Sequence, residues 1–398
     1  MLTRQDWNEA AKRLLGIIEN KAPELGASTY EVPVSHYLDA DRWKREIDLI
    51  FKKQPLLLAL SCELAEPNSY KAMSRVGVPV LLTRGEDGRV RGFLNKCRHR
   101  GVPVTGDAEK CGVGKRFSCP YHAWTFDNKG VLIGLPSQGQ FGHIPAEYRH
   151  LIELNVEERA GFIWGVLTPG IEMNLLACLG DILPMLERVG LEKFHFAGVA
   201  SMAGANWKFV QDGNIEHYHF SVLHKNTFGG LLLSDSTAYD EIGPHTRFFV
   251  PCAEIRKLRD IPEAEWKASK HLMYSFCLFP NIAFGLCPDE DPQNQIVSVN
   301  IVWPGDAPGK SITHVVYATP RPMISDQDKQ RVKQFIDTNT RIVLSEDYWV
   351  VGGQQLGLES MANQKFIYGR MERMVQTFER NVDALVDASY KSESIAAD

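Results

Sequence analysis

The sequence predicts an α+β protein of two parts. A small antiparallel β domain precedes a larger domain of antiparallel strands wrapped on long helices. Three observations point there. From about Tyr70 to Leu135, short alternating segments divided by turn signals replace the helical periodicity of the N-terminus. Strands resume later, and two long helical stretches, residues 326–347 and 371–388, close the chain. Clusters of metal-type ligands fall one in each part, about a hundred residues apart.

Taken in order, Trp7, Ala10, Ala11, Leu14, Leu15 and Ile18 recur at helical spacing. They predict an amphipathic helix packed on the body rather than a membrane anchor. Val80–Thr83 and Val90–Leu94 flank Gly85-Glu86-Asp87-Gly88, a hairpin with Asp-Gly at its tip. Asp127-Asn128-Lys129-Gly130 reads as a second such turn, and Gly161 to Leu167 as a strand leading out of the small domain. A helix fits residues 206–224, and strands fit 247–255, 273–284, 296–303 and 312–318. The expected division is a helical segment over 1–44, the β domain over 45–158 and the larger domain over 159–398.

Composition excludes several classes. A chain of 398 residues with 44% hydrophobic and 23% charged residues can bury ordinary cores. A net charge of -5 leaves no basic footprint for nucleic acid. No apolar run reaches the length of a membrane span, and the N-terminus lacks a signal-peptide pattern. Eight Cys in this length do not form a disulfide scaffold, so a reducing cytoplasm is expected.

The first ligand cluster is Cys97-Arg98-His99, then nineteen residues, then Cys119-Pro120-Tyr121-His122. Two thiolates on one iron and two imidazoles on the other can hold a [2Fe–2S] cluster, with a potential above that of an all-Cys cluster. Structural zinc also takes Cys₂His₂, but usually pairs its two Cys on one knuckle and its two His on another. Here each finger offers one of each, which favours two irons.

The second cluster is Asp212, Glu216, His219 and His224, with Glu346-Asp347 far downstream. On one helix Asp212, Glu216 and His219 share a face, while His224 demands an irregular turn. His217 falls off the pattern and is expected on the helix surface or behind the ligands. Two His and one carboxylate can hold a mononuclear iron with positions open to dioxygen. Adjacent helical residues point about 100° apart, so only one of Glu346 and Asp347 is expected to ligate.

Cys97-Arg98-His99-Arg100-Gly101 and Cys119-Pro120-Tyr121-His122-Ala123-Trp124 resemble the two fingers of the Rieske non-heme iron oxygenases, the α subunits of ring-hydroxylating oxygenases. Asp212-x₃-Glu216-x₂-His219-x₄-His224, following Asn206-Trp207-Lys208, resembles their iron-binding segment. The resemblance implies a helix-grip, START-like catalytic domain. It assigns Cys97, His99, Cys119 and His122 to one [2Fe–2S] cluster, and His219, His224 and Asp347 to one mononuclear Fe(II) per subunit. Glu216 and Asp212 become the catalytic acids, with Glu216 bridging His219 to His122 of a neighbouring chain. Two departures show: Ala123 stands where the family usually has Gly, and Glu216 where most members have Asp.

The implied activity is that of a terminal oxygenase. It would draw electrons from NAD(P)H through a separate reductase, with or without a ferredoxin, and use O₂ to hydroxylate a small aromatic or alicyclic substrate. Oxidative demethylation or hydroxylation of a quaternary amine or other non-aromatic substrate is the alternative, and a non-catalytic Rieske electron carrier or redox sensor the competing class. No Rossmann fingerprint is present, so NAD(P)H is expected to act indirectly. A homotrimer, with or without a small β subunit, is the expected assembly. Gly213, Phe220, Phe276 and Phe284 are the candidate pocket residues.

Overall fold

The computed structural model describes residues 2–395, with side chains described through Asp387. Two compact units emerge, one of residues 51–178 and one of residues 1–50 with 179–398.

The smaller unit is built of three antiparallel sheets. In its five-stranded sheet Val78–Arg84 and Val90–Leu94 pair as the Asp-Gly turn predicts, with Val80 opposite Leu94 and Gly88 at φ +73°. Arg116–Ser118, Thr125–Asp127 and Leu132–Gly134 form a separate three-stranded sheet around the second predicted turn. Leu81, Phe93, Phe117, Trp124 and Phe126 make its core together with Cys97 and Cys119. The unit runs past the expected boundary at 158. Phe162–Gly165 pairs with Leu56–Leu60, so that strand closes a sheet of the small unit instead of leading out of it.

In the larger unit seven strands form one antiparallel sheet, in the order His195–Gly204, Ser311–Thr319, Val297–Pro304, Ile282–Leu286, Leu272–Leu278, His245–Pro251, Ala238–Ile242. The first fifty residues belong to this unit. The Arg4–Asn20 helix starts on a capping box between Thr3 and Asp6 and lays Trp7 edge-on against Tyr274, centroids 5.4 Å apart.

Four readings change. Residues 273–284 are two strands reversed by Phe279-Pro280-Asn281, not one. Residues 247–255 yield a strand only to Pro251, and a 3₁₀ turn begins at Ala253. The helix expected over 206–224 stops at Ile215, with Glu216 extended at φ -104°, ψ 136°. The stretch 326–347 breaks at Glu346, dividing Asp326–Ser345 from Asp347–Glu359. His195–Gly204 escaped sequence reading because Ala, Gly and Ser at the sheet edge blur the alternation of large and small side chains.

Candidate metal centres

The two fingers of the small unit share one backbone pattern. Cys97 N–H bonds Val102 O at 2.8 Å and Gly101 N–H returns to Cys97 O at 2.9 Å. Cys119 N–H bonds Trp124 O and Ala123 N–H returns to Cys119 O, both at 2.9 Å. Each loop thereby fixes its Cys at the first position, while the His stands third in one loop (His99) and fourth in the other (His122). The fifth residue of each loop needs a left-handed backbone: Gly101 sits at φ +77° and Ala123 at φ +54°. A Cβ there costs about 1–2 kcal/mol. The departure at Ala123 is therefore a strained residue in an unchanged turn.

The finger tips bring the four side chains together. Cys97 and Cys119 are buried, and their thiols meet as hydrogen-bond partners. Burial first, then the neighbouring thiol, raises the Cys97 pKa. The His99 and His122 rings lie 4.7 Å apart, and Trp124 stacks on His99 at 5.2 Å. His99 Nδ1 is buried with no hydrogen-bond partner, as suits a ring nitrogen that ligates a metal. Paired thiols and paired imidazoles with an orphaned ring nitrogen fit a mixed Cys/His two-iron cluster. Arg98 bonds Glu147 O at 3.1 Å and lies over the Tyr148 ring, so it braces the finger.

In the larger unit the Trp207–Ile215 helix is anchored by the three residues that open it. Asn206 caps it, accepting from Lys208 N–H at 2.9 Å, while its amide donates to Tyr37 O and Pro308 O. Trp207 Nε1 donates to Glu46 Oε2 at 2.8 Å, and the fully buried Lys208 ammonium pairs with Glu46 Oε1. A buried cation survives only with such a partner.

Where that helix ends, Glu216 shapes the turn the ligands occupy. Its Oε1 accepts His219 N–H at 3.0 Å, and its Oε2 lies 2.5 Å from His219 Nδ1. Extended backbone at Glu216 then lets His219 and His224 flank the short Phe220–Leu223 helix, which one continuous helix could not arrange. His219 Nε2 and His224 Nε2 face Asp347 Oδ1 at 3.4 and 3.2 Å. His219, His224 and Asp347 offer ligand atoms all within 4.8 Å of one another. His219 Nε2 and Asp347 Oδ2 are buried without hydrogen-bond partners. A 2-His-1-carboxylate set of this kind suits non-heme iron.

Glu346 has a place that sequence reading missed. Its Oε2 lies 2.6 Å from His224 Nδ1 and accepts Thr227 Oγ1–H at 3.0 Å. Each imidazole thus carries a carboxylate behind it, Glu216 for His219 and Glu346 for His224, which leaves both Nε2 atoms facing Asp347. Burial opposes charge on His219, but Asp347 and Glu216 outweigh it and lift its pKa to about 9.

Of the remaining predicted residues, Gly213 and Asp212 line a cavity of about 470 Å³ beside His219 and Asp347. Phe220 packs on both imidazoles, 4.8 Å from His219 and 5.2 Å from His224. Phe276 and Phe284 do not line the cavity; they stack on each other at 4.8 Å as cross-strand partners in the sheet. His217 is not on a helix surface. It is buried between Phe220 and Phe248, and burial pushes its pKa down to about 3.

Comparison with known proteins agrees with both halves of the chain. Residues 54–151 match the family model "Rieske [2Fe-2S] domain", and residues 190–388 match "Ring hydroxylating alpha subunit (catalytic domain)". The carnitine monooxygenase oxygenase subunit of Acinetobacter baumannii is 26% identical over 338 residues, covering 82% of this chain and 85% of that one. A quaternary ammonium Rieske monooxygenase of known structure superposes with a TM-score of 0.74 at 22% identity, over 91% of this chain and 96% of that one. That structure is described as informing carnitine oxidation by gut microbiota and inter-subunit electron transfer. Naphthalene 1,2-dioxygenase from Rhodococcus sp. superposes with a TM-score of 0.68 at 19% identity, over 97% and 99% of the two chains.

Proposed function

This chain belongs to the ring-hydroxylating oxygenase α subunits of the Rieske type, and from that premise we propose that it oxidises a small organic cation, a quaternary amine above all. As a terminal oxygenase it takes electrons that originate on NAD(P)H from a reductase, and its cofactors are a Rieske [2Fe–2S] cluster and a mononuclear iron. In the proposed assignment Cys97, His99, Cys119 and His122 hold the cluster and His219, His224 and Asp347 the iron. When bound, that iron supplies dioxygen activation beside the substrate.

The cavity carries the choice of substrate. Asp212, Glu216, Glu372 and Asp347 line it with Phe209, Tyr218 and Tyr368, and no Lys or Arg is among its lining residues. Acidic walls and aromatic faces attract a cation, and an aromatic cage is the established way to hold a quaternary ammonium. An aromatic acid would find no Lys or Arg there to pair with its carboxylate. Between the aromatic or alicyclic substrates and the quaternary amines that the sequence leaves open, this lining supports the amines. Hydroxylation of a carbon next to the nitrogen would give a carbinol ammonium, which collapses by breaking the C–N bond and releases a tertiary amine, a carbonyl compound and a proton.

Electron delivery between neighbouring copies completes the proposal. Glu216 already spends one lone pair of each oxygen on His219, and a carboxylate oxygen has a second. It would join His219 to His122 of the next chain in a closed head-to-tail trimer, a standard symmetric assembly. Tyr218, Val222 and Trp349 are 63%, 73% and 73% exposed, an apolar surface that a second copy would cover.

A turnover screen with a surrogate reductase, read by product mass, tests the substrate class. Trimethylammonium compounds should yield the cleaved amine with matched O₂ uptake. Turnover of benzoates or neutral arenes with no amine turnover would overturn the proposal.

A further inference from the structure

Behind the cavity a buried hydrogen-bonded chain joins two carboxyl groups through two phenols. Tyr368 OH bonds Asp212 Oδ2 at 2.9 Å, Tyr368 OH and Tyr37 OH lie 2.7 Å apart, and Tyr37 OH bonds Glu379 Oε1 at 2.8 Å. Tyr37 and Glu379 are at most 1% exposed, while Asp212 and Tyr368 line the cavity beside His219 and Asp347. Phe209 stacks on Tyr37 at 4.3 Å, Phe366 meets it edge-on at 5.5 Å, and the buried Lys208 ammonium lies 5.0 Å from the centre of the same ring, so the middle of the chain is closed to water.

Counting hydrogens gives the chain its meaning. Three short oxygen–oxygen links need three hydrogens, and two phenols supply two. A third must sit on a carboxyl. With the proton on Asp212, its O–H donates to Tyr368, Tyr368 to Tyr37, and Tyr37 to the Glu379 carboxylate. With the proton on Glu379, every bond reverses. Passing between these states breaks three O–H bonds and forms three, and moves one proton without moving a heavy atom.

We propose that Asp212, Tyr368, Tyr37 and Glu379 form a single-proton relay that stores a proton at Glu379 and delivers it through Asp212 to the cavity at the iron ligands. The proposal extends the oxygenase reading. Monooxygenation consumes O₂, two electrons and two protons for each hydroxyl inserted and water released, with the reductase giving the electrons and solvent the protons. Asp212 Oδ1 is buried with no hydrogen-bond partner, so a proton that reaches Oδ2 leaves when the carboxyl turns to exchange its two oxygens, and water in the cavity reloads the relay through the same carboxyl.

The surroundings suit a shared proton. Burial and then the charge of Glu379 push the Asp212 pKa well up, with the Tyr368 hydroxyl and Lys208 opposing and Glu372 adding to it. Burial lifts Glu379 to about 7, with Lys208 and Tyr37 opposing and Asp383 and Glu46 adding. Proton gain and loss near neutral pH is what a store requires.

Infrared difference spectroscopy of the purified holoenzyme near neutral pH tests the sharing without any turnover. An amide at either end supplies the third hydrogen itself. Glu379→Gln and Asp212→Asn should therefore each abolish the whole protonated-carboxyl C=O band of the relay, although each removes one acid of two. A band that survives at full intensity in either variant, or is missing from the wild type, overturns the shared proton whatever the substrate proves to be. For delivery, Tyr368→Phe and Tyr37→Phe should retain iron and lower product formation by about tenfold or more. Both should also raise the solvent deuterium isotope effect, and Tyr37 is not among the cavity-lining residues. Wild-type turnover and isotope effect in Tyr37→Phe would overturn the relay.

Discussion

Each Cys/His finger closes on itself within six residues, whereas the candidate iron centre draws on two segments more than a hundred residues apart. In the fingers, paired backbone hydrogen bonds set the loop that carries each Cys and His, and the more distant Glu147 and Tyr148 only brace it through Arg98. At the iron centre Glu216 and Glu346 do the orienting from behind the imidazoles. A locally closed site depends on its ligands and its loop geometry. A dispersed site depends as much on residues that touch no metal.

The comparison breaks most visibly at the fingers. His99→Ala or His122→Ala should abolish the paramagnetic signature of a mixed Cys/His cluster entirely, since no other imidazole lies in the hydrogen-bonded loops. An unchanged spectrum in both would remove the assignment.

Glu216→Gln should come next in effect. Both metals should remain, because neither is expected to be ligated by Glu216, while oxidation of the reduced cluster in a single turnover slows severely. Absorbance of the cluster after mixing with O₂ and substrate reads this directly, and a wild-type rate would end the bridging role.

Glu346→Gln sharpens the contrast on the dispersed side. Losing a carboxylate behind a metal-bound imidazole commonly weakens affinity by about 10–100-fold, and the iron dissociation constant should rise accordingly. Cluster absorbance should not change. Iron bound as tightly as in the wild type would show that Thr227 and the loop suffice to hold His224.

The smallest effect belongs to the finger loop. Ala123→Gly relieves a left-handed alanine and should stabilise the cluster loop against denaturant by about 1 kcal/mol, read from the midpoint of bleaching. An unchanged or lower midpoint would mean that the alanine fits without strain.

The same contrast explains what the sequence could reveal. The fingers were legible because Cys97, His99, Cys119, His122 and their turn residues lie within two short segments, 97–102 and 119–124. His219 and His224 were legible by spacing, but a helical face for Asp212, Glu216 and His219 was not formed, since Glu216 leaves the helix to cap the ligand turn. Glu346 read as a rival ligand because adjacency in sequence says nothing of which carboxylate faces Nδ1 and which faces Nε2. Phe276 and Phe284 read as pocket residues because aromatic character does not distinguish a sheet interior from a cavity wall. The Asp212 to Glu379 chain was invisible, since Tyr37, Tyr368 and Glu379 meet only through the tertiary fold.

Iron and acid-labile sulfide counted per chain in wild type and Asp347→Ala test the two-centre account most directly. The wild type should hold about three irons and two sulfides, from a two-iron cluster and one mononuclear site. Asp347→Ala should keep the sulfides and the cluster spectrum while iron falls toward about two. Three irons retained in Asp347→Ala, or loss of sulfide together with iron, would contradict it.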